Sequence, residues 1–400
     1  EAPINWHLDF KNNVSWPLRF FRDIDIQDFN RKSDIKVPWE LSRLQWIAPV
    51  AQCFILEQDE KYASFTKEIL SSWIEANPYA RGPNWAIAME AAMRVFTWTW
   101  LFHVFHKSAS WSQPAFRQQF LSALYEHGIF CARYIENFGH NSNHLIADAG
   151  ALVFLSEFFP NTKETMLWGK RGYSILEDEV LQQVNEDGTS FEGSSSYHRL
   201  VAELLLWPAL YRKNNDKEIS PDYEKRLLAM ADFTSSYLDP EGSAPLWGDN
   251  DDGRPYILGG QASRQHGYLP TLIHLALENG AVKQPHPSTN AEILWALGPK
   301  GLDKLDGEWK HLQHSTHFRD SGVYLMSGEG DYVFIDCGSV GHAGRGGHGH
   351  NDCLSFEAFL DGGQVITDSG TYVYTEDVSQ RNFFRGTSAH NTPCIDHEEQ

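Results

Sequence analysis

At about residue 305 the chain changes its hydrophobic period, and no other feature of the sequence restricts the fold as strongly. Upstream, apolar residues recur at helical spacing; downstream, they fall in short alternating runs between turns rich in glycine and aspartate. Helices followed by strands argue for a helical domain and a β domain in series, not for an alternating chain built on a parallel sheet. The expected domains are therefore 1–304 and 305–400.

In the helical part, Pro38-Trp39-Glu40-Leu41 reads as a helix start with proline in the first turn, and apolar positions continue through Trp46, Val50 and Phe54. Further helices are expected near 59–75, 84–106, 112–137, 143–159, 164–183, 197–212, 221–238 and 264–279. Helices of similar length joined by short polar breaks make an array of α/α hairpins, closed as a toroid or open as a solenoid. No residue-level repeat decides between the two. In the β part, strands are expected at 322–326, 332–335, 354–359 and 365–367, with Asp361-Gly362-Gly363 as a turn. Five or six strands fit before Gln400, so the β domain is expected to continue past it.

The 400 residues suffice for two packed cores, and no apolar run approaches the ~18 residues that a membrane span needs. The start, Glu1-Ala2-Pro3, lacks the basic and apolar regions of a signal peptide, so any export signal is expected outside this sequence. The five cysteines are odd in number and widely spaced; they read as mostly buried thiols and fix no compartment. A net charge of −20 argues against non-specific nucleic-acid binding, which needs a basic face. An anionic substrate is still compatible, because the local field of a cleft does the steering, and Arg345, Arg381 and Arg385 lie close to several histidines. The 14 Trp, 15 Tyr and 24 Phe suit either sugar stacking or a helical core.

Four segments concentrate polar side chains of catalytic type. They are Gly139-His140-Asn141-Ser142-Asn143-His144, the run from Asp187 to His198, Gly344-Arg345-Gly346-Gly347-His348-Gly349-His350-Asn351-Asp352, and the run from Arg381 to Thr392. Together with Ile4-Asn5-Trp6, Pro38-Trp39-Glu40 and Asn84-Trp85, their order and separation resemble the heparinase II/III family of polysaccharide lyases over nearly the whole chain. The resemblance implies an incomplete (α/α) toroid, then an antiparallel β-sandwich only begun here, with an active site between them. It also implies a periplasmic or secreted enzyme acting on an acidic polysaccharide, and neither a nucleic-acid nor a membrane partner.

Such an enzyme cleaves by β-elimination. Removing the weakly acidic C5 proton of a uronate builds charge on its carboxylate, so that group must be neutralised before a side-chain base can work. On the family pattern Asn143 donates to the carboxylate, Tyr197 is the general acid and in some members also the base, and His348 faces the substrate. A tyrosine whose pKa is lowered by cations can serve both roles. Asn143 as a helix N-cap and Tyr197 as a buried helix-start aromatic are the structural alternatives. His350, Asp368 and His390 match positions that bind a metal in some relatives, a donor set that suits a structural zinc; no organic cofactor is implied. His144, Asn84, Trp85, Arg94, Arg345 and Arg385 are candidates for substrate binding, with a Glu90–Arg94 ion pair at i, i+4 as the bland alternative for Arg94. Two other functions stay open at this point. One is an α/α-toroid glycoside hydrolase drawing its carboxylates from the 249–252 acidic cluster, with Glu90 or Glu192 as partner; the other is a non-catalytic polysaccharide-binding protein.

Overall fold

The computed structural model describes residues 3–28, 30–160, 162–277, 282–283, 285–286, 289–311 and 314–400. The chain packs as two compact units: residues 1–176 with 255–257 and 375–377, and residues 177–254 with 258–374 and 378–400. The units thus divide inside one helix at 176/177, whereas the change from helices to strands stays near 305.

The helices in order are α1 (Lys36–Arg43), α2 (Ala48–Glu57), α3 (Glu60–Ala76), α4 (Ala88–Phe105), α5 (Pro114–Arg133), α6 (Asn143–Phe158), α7 (Lys163–Gln183), α8 (Ser195–Asn214), α9 (Pro221–Tyr237) and α10 (Tyr268–Leu277), followed by the short α11 (Thr289–Leu297), α12 (Pro299–Leu302), α13 (Gly341–Gly344) and α14 (Val378–Arg385). All the helices expected beyond residue 59 are present; the last two residues of 264–279 lie outside the described residues. The single helix expected from Pro38 through Phe54 is instead two. Leu44 turns left-handed at φ 61°, and Pro49, in the first turn of α2, cannot donate back along a continuous helix. Starts elsewhere follow ordinary chemistry: Asp59 caps α3 by accepting from Lys61 N, and prolines open α5 and α9.

In the first unit α4 packs against α5 and α6, and it is buried on nearly every side, from Ala88 to Thr99 and again at Leu101 and Phe105. A helix apolar all round must be central. Asn84, Trp85 and Arg94, expected to line a substrate cleft, are 0–1% exposed and belong to this core. Arg94 donates from Nε to His127 Nε2 at 2.9 Å and from Nη2 to Asn84 O at 2.7 Å, with its guanidinium over Trp73 and Trp85. Glu90 pairs with Arg43 at 2.6 Å. The three side chains therefore hold the unit together, and the substrate-binding reading is withdrawn for them. A buried guanidinium leaves water only where aromatic faces and acceptors replace it, which is what surrounds Arg94.

In the second unit one antiparallel sheet runs in chain order through Thr316–Phe318, Val323–Gly328, Asp331–Asp336, Phe356–Leu360 and Gly363–Ile366. The first strand was not expected from the sequence; the other four were. Two hairpins close through two-residue turns with both residues at positive φ, Glu329-Gly330 and Asp361-Gly362, the geometry that matches strand twist. Val323, Leu325, Tyr332, Phe334 and Phe359 pack onto Phe233 and Tyr237 of α9 and onto Trp247. Among the described residues the layer covering this sheet face is helical, with no second sheet of a sandwich. The cysteines depart from expectation: Cys131 alone is buried, and Cys337, Cys353 and Cys394 are exposed.

Candidate active site

In the second unit, the hydroxyl of Ser194 caps α8 by accepting from Tyr197 N at 3.2 Å, which sets Tyr197 in the first helical turn. The same hydroxyl donates to Asp249 O at 2.6 Å, and Ser195 N donates to Trp247 O, stitching the helix start to the acidic loop. Asp249 N in turn donates to His348 O at 2.9 Å. Three distant segments thus meet through their backbones. Gly248 permits the approach: at φ 66° it adopts a left-handed backbone, and a Cβ there would lie 2.9 Å from His348 O.

On this frame the Tyr197 ring stacks on the His348 imidazole, with centroids 3.6 Å apart and planes 16° from parallel. The Tyr197 hydroxyl lies 3.2 Å from Asp251 Oδ2 and 3.4 Å from the hydroxyl of Tyr374. Burial, then the charge of Asp251 and the neighbouring Tyr374, push its phenol well above the ordinary tyrosine value. That corrects the expectation of a cation-lowered phenol. Tyr197 keeps its proton, which suits an acid and not a resting base.

Asp249, 1% exposed in its side chain, is the hub. It accepts from His348 Nδ1 at 3.1 Å and Arg381 Nη2 at 2.7 Å through Oδ2 and from His350 Nε2 at 3.0 Å through Oδ1, and Arg381 Nη1 is ion-paired to Oδ1 at 2.6 Å. Burial alone would raise its pKa, but these hydrogen bonds from His348, His350 and Arg381 hold the carboxyl far below the usual range. An ionised carboxylate only accepts, so a hydrogen of His348 sits on Nδ1, and in the neutral ring Nε2 is the nitrogen that carries the lone pair. With Arg381 tied to Asp249, its expected role as a free anion binder is withdrawn, and Asp249 itself is too occupied to serve a hydrolase. Arg345 is exposed and Arg385 half-buried, so both stay available to an anionic chain.

Beside this hub, His350 Nδ1 and His390 Nε2 are buried without a hydrogen-bond partner, their rings 5.1 Å apart. The carboxylate grouped with them, every donor within 4.8 Å of the others, belongs to Asp352. Asp368 instead accepts from His390 Nδ1 at 2.7 Å. The expected set therefore changes by one member: Asp352 stands with the imidazoles, while Asp368 and Asp249 fix the far nitrogens, as carboxylates commonly do behind metal-bound histidines. Orphaned buried nitrogens aimed together fit a cation.

In the first unit, Asn143 is the first residue of α6 and 1% exposed, with Ser142 at the cap position. His144 Nδ1 lies 2.8 Å from Glu136 Oε2, and Glu136 N donates to Asp148 Oδ2. Burial and the charge of Glu136 push the Asp148 carboxyl well up. Asp249 and Asp251 were read from the sequence only as carboxylates of the rival hydrolase, and Asp352 and Tyr374 were not assigned a role. The aspartates stood in Gly-bounded turn-like segments, whose bland reading is a structural loop.

A helical chain with an antiparallel sheet and a tyrosine–imidazole pair backed by a buried carboxylate defines a protein with an acid–base site. The match to the family descriptions makes it specific: residues 4–260 match the heparinase II/III N-terminus and 310–400 the heparinase II/III-like C-terminal region, so the chain belongs to the heparinase II/III family. It is 22% identical to a heparin-sulfate lyase of Pedobacter heparinus, covering 98% of this chain and 55% of the relative, and 25% identical to one of Bacteroides stercoris, covering 95% and 57%. The chain spans little more than half the length of these relatives. Among solved structures it resembles heparinase III with a TM-score of 0.70 at 19% identity, over 99% of this chain and 60% of that one. A heparan sulfate lyase from Pedobacter heparinus gives 0.58 at 22%, over 94% and 56%. These likenesses bear out the expected fold class, an incomplete (α/α) toroid followed by the start of an antiparallel β-sandwich.

Proposed function

We propose that this chain carries the acid–base machinery of a polysaccharide lyase that cleaves a uronate-containing glycosaminoglycan by β-elimination. The observation that carries the reading is the Tyr197–His348 stack, with Asp249 on the far nitrogen of the imidazole. His348 Nε2 takes the C5 proton; the C–H pair becomes the C4–C5 double bond as the C4–O4 bond breaks, and Tyr197 gives its proton to O4. Asp249 orients the imidazole and balances the charge it gains. Asn143 is given the uronate carboxylate on the family motif, with His144 beside it, and Arg345 and Arg385 suit flanking carboxylate or sulfate groups. The glycosaminoglycan class is supported by the two relatives named heparin-sulfate lyases. A polymer of that kind is met outside the cytoplasm, in the periplasm or beyond it.

A zinc ion held by His350, Asp352 and His390 would supply structural cross-linking within the second unit. The buried unpartnered nitrogens support that reading.

The test is a panel of heparan sulfate, other glycosaminoglycans and alginate, followed by ultraviolet absorbance, because elimination leaves an absorbing unsaturated uronate and hydrolysis does not. Tyr197→Phe, which keeps the ring and loses the acid, should fold normally and turn over ~10²–10⁴-fold more slowly. Absorbance unchanged in that variant would overturn the acid assignment.

A further inference from the structure

A second cluster of metal-binding side chains lies on the other flank of Asp249. Glu192, His342 and His348 each bring one donor atom within 4.8 Å of the others. His348 Nε2 faces Glu192 Oε2 at 3.9 Å, and the His342 and His348 rings stand 5.2 Å apart at 49°. We propose that these three residues form a second divalent-cation site, of the zinc type, whose occupancy withholds His348 from catalysis.

Three observations support it beyond proximity. The Glu192 side chain is 0% exposed, so solvent does not compete for its oxygens at this cluster. His348 donates from its far nitrogen to Asp249, the arrangement that turns an imidazole into a better metal ligand and aims it. The scaffold is also set in advance. His342 N donates to Phe191 O at 2.7 Å, and Gly193, at φ 66°, lies so close to Gly341 that a Cβ on it would come within 2.7 Å of Gly341 Cα. The loop bearing His342 is thereby clamped to the turn bearing Glu192 with no side chain between them. Zinc at ~2.0–2.1 Å from each ligand needs donors ~3.3 Å apart, so the His348–Glu192 pair must close by roughly half an ångström, within reach of small side-chain rotations. Two imidazoles and a carboxylate suit zinc or cobalt over magnesium or calcium.

The consequence rests on the lyase reading: the ion would take the Nε2 lone pair that removes the C5 proton, so metal and substrate compete for His348. Asp249 is common to both clusters, holding His348 with one oxygen and His350 with the other.

Metal-free protein titrated with Co²⁺, followed by visible absorption, should take up one fewer ion in His342→Ala and in Glu192→Gln than in the wild type. His390→Ala should keep this ion. His342→Asn, closer in shape, replaces His342→Ala if circular dichroism shows that variant unfolded. Zn²⁺ should inhibit elimination, with a half-inhibiting concentration at least tenfold higher in His342→Ala. Equal Co²⁺ uptake in the wild type, the folded His342 variant and Glu192→Gln would overturn the site. If no polymer is cleaved by any variant, the lyase reading fails, and the cobalt count still decides this one.

Discussion

A single carboxylate can organise a site when both its oxygens are engaged, and Asp249 is such a group. Its two oxygens serve His348, His350 and Arg381 together. Asparagine has the same shape but offers one acceptor oxygen and an amide that donates, so it cannot satisfy two imidazole N–H groups and a guanidinium. Asp249→Asn should therefore cut turnover by about 10²-fold or more while leaving helix content unchanged, measured as initial elimination rate and far-ultraviolet circular dichroism. A variant with near-normal turnover would mean that His348 is oriented by something else. Asp249 stands 99 residues from His348 in sequence, which is why its role was illegible there: local composition reported only an acidic turn. Tyr197 and His348 could be singled out because their motifs are contiguous and resemble a family pattern, and their rings do stack. Arg94 misled for the opposite reason. Its charge suggested a cleft, and only packing shows Trp73 and Trp85 on its guanidinium.

Elements were read more reliably than contacts, since a helix or a hairpin is encoded within a few residues of itself. The eight helices expected past residue 59 and the Asp361-Gly362 turn follow from period and turn chemistry. The break at Leu44 was missed because Trp46, Val50 and Phe54 keep helical spacing across it, while Pro49 held the decisive information. The start of α8 shows what one cap does. Ser194→Ala loses the bond to Tyr197 N and leaves Asp249 O without its donor, at a cost of about 1 kcal/mol, or a fall of roughly 2–4 °C in melting temperature. Turnover should fall as well, because Tyr197 and Asp249 both lose a tether. The strand ending at Asp336 carries a pH signature. Burial, with the charge of Asp352 next, raises the Asp336 carboxyl to about 7, although Trp247 Nε1 and Gly338 N donate to it. A raised carboxyl binds its proton more tightly in the folded state, so stability declines as pH rises from the unfolded value near ~4 to about 7 and is level beyond it. Asp336→Asn removes this group from the titration. Melting curves from acid to neutral pH should lose that part of their decline in the variant, and identical slopes in the two proteins would refute the assignment.

At the scale of the molecule, and on the proposed lyase reading, charge sets the terms on which the chain meets a polymer. This chain has a formal net charge of −20, and a glycosaminoglycan is itself a polyanion, so the two repel at long range. The attraction available to the substrate is short-ranged, from Arg345, Arg385 and the donors of the site. Salt separates the two ranges. Between ~0.01 and ~0.1 M ionic strength the screening length falls from ~30 to ~10 Å, which removes most of the long-range repulsion but spares contacts made at hydrogen-bond distance. For a long polymer, kcat/KM should therefore rise over that interval. A tetrasaccharide carries few charges beyond those in the site, and its kcat/KM should change much less. Steady-state rates for both substrates across the salt series test the argument. A steep monotonic fall for the polymer, the pattern of a protein that binds through many phosphate-like ion contacts, would show that a local basic field outweighs the net charge of the chain.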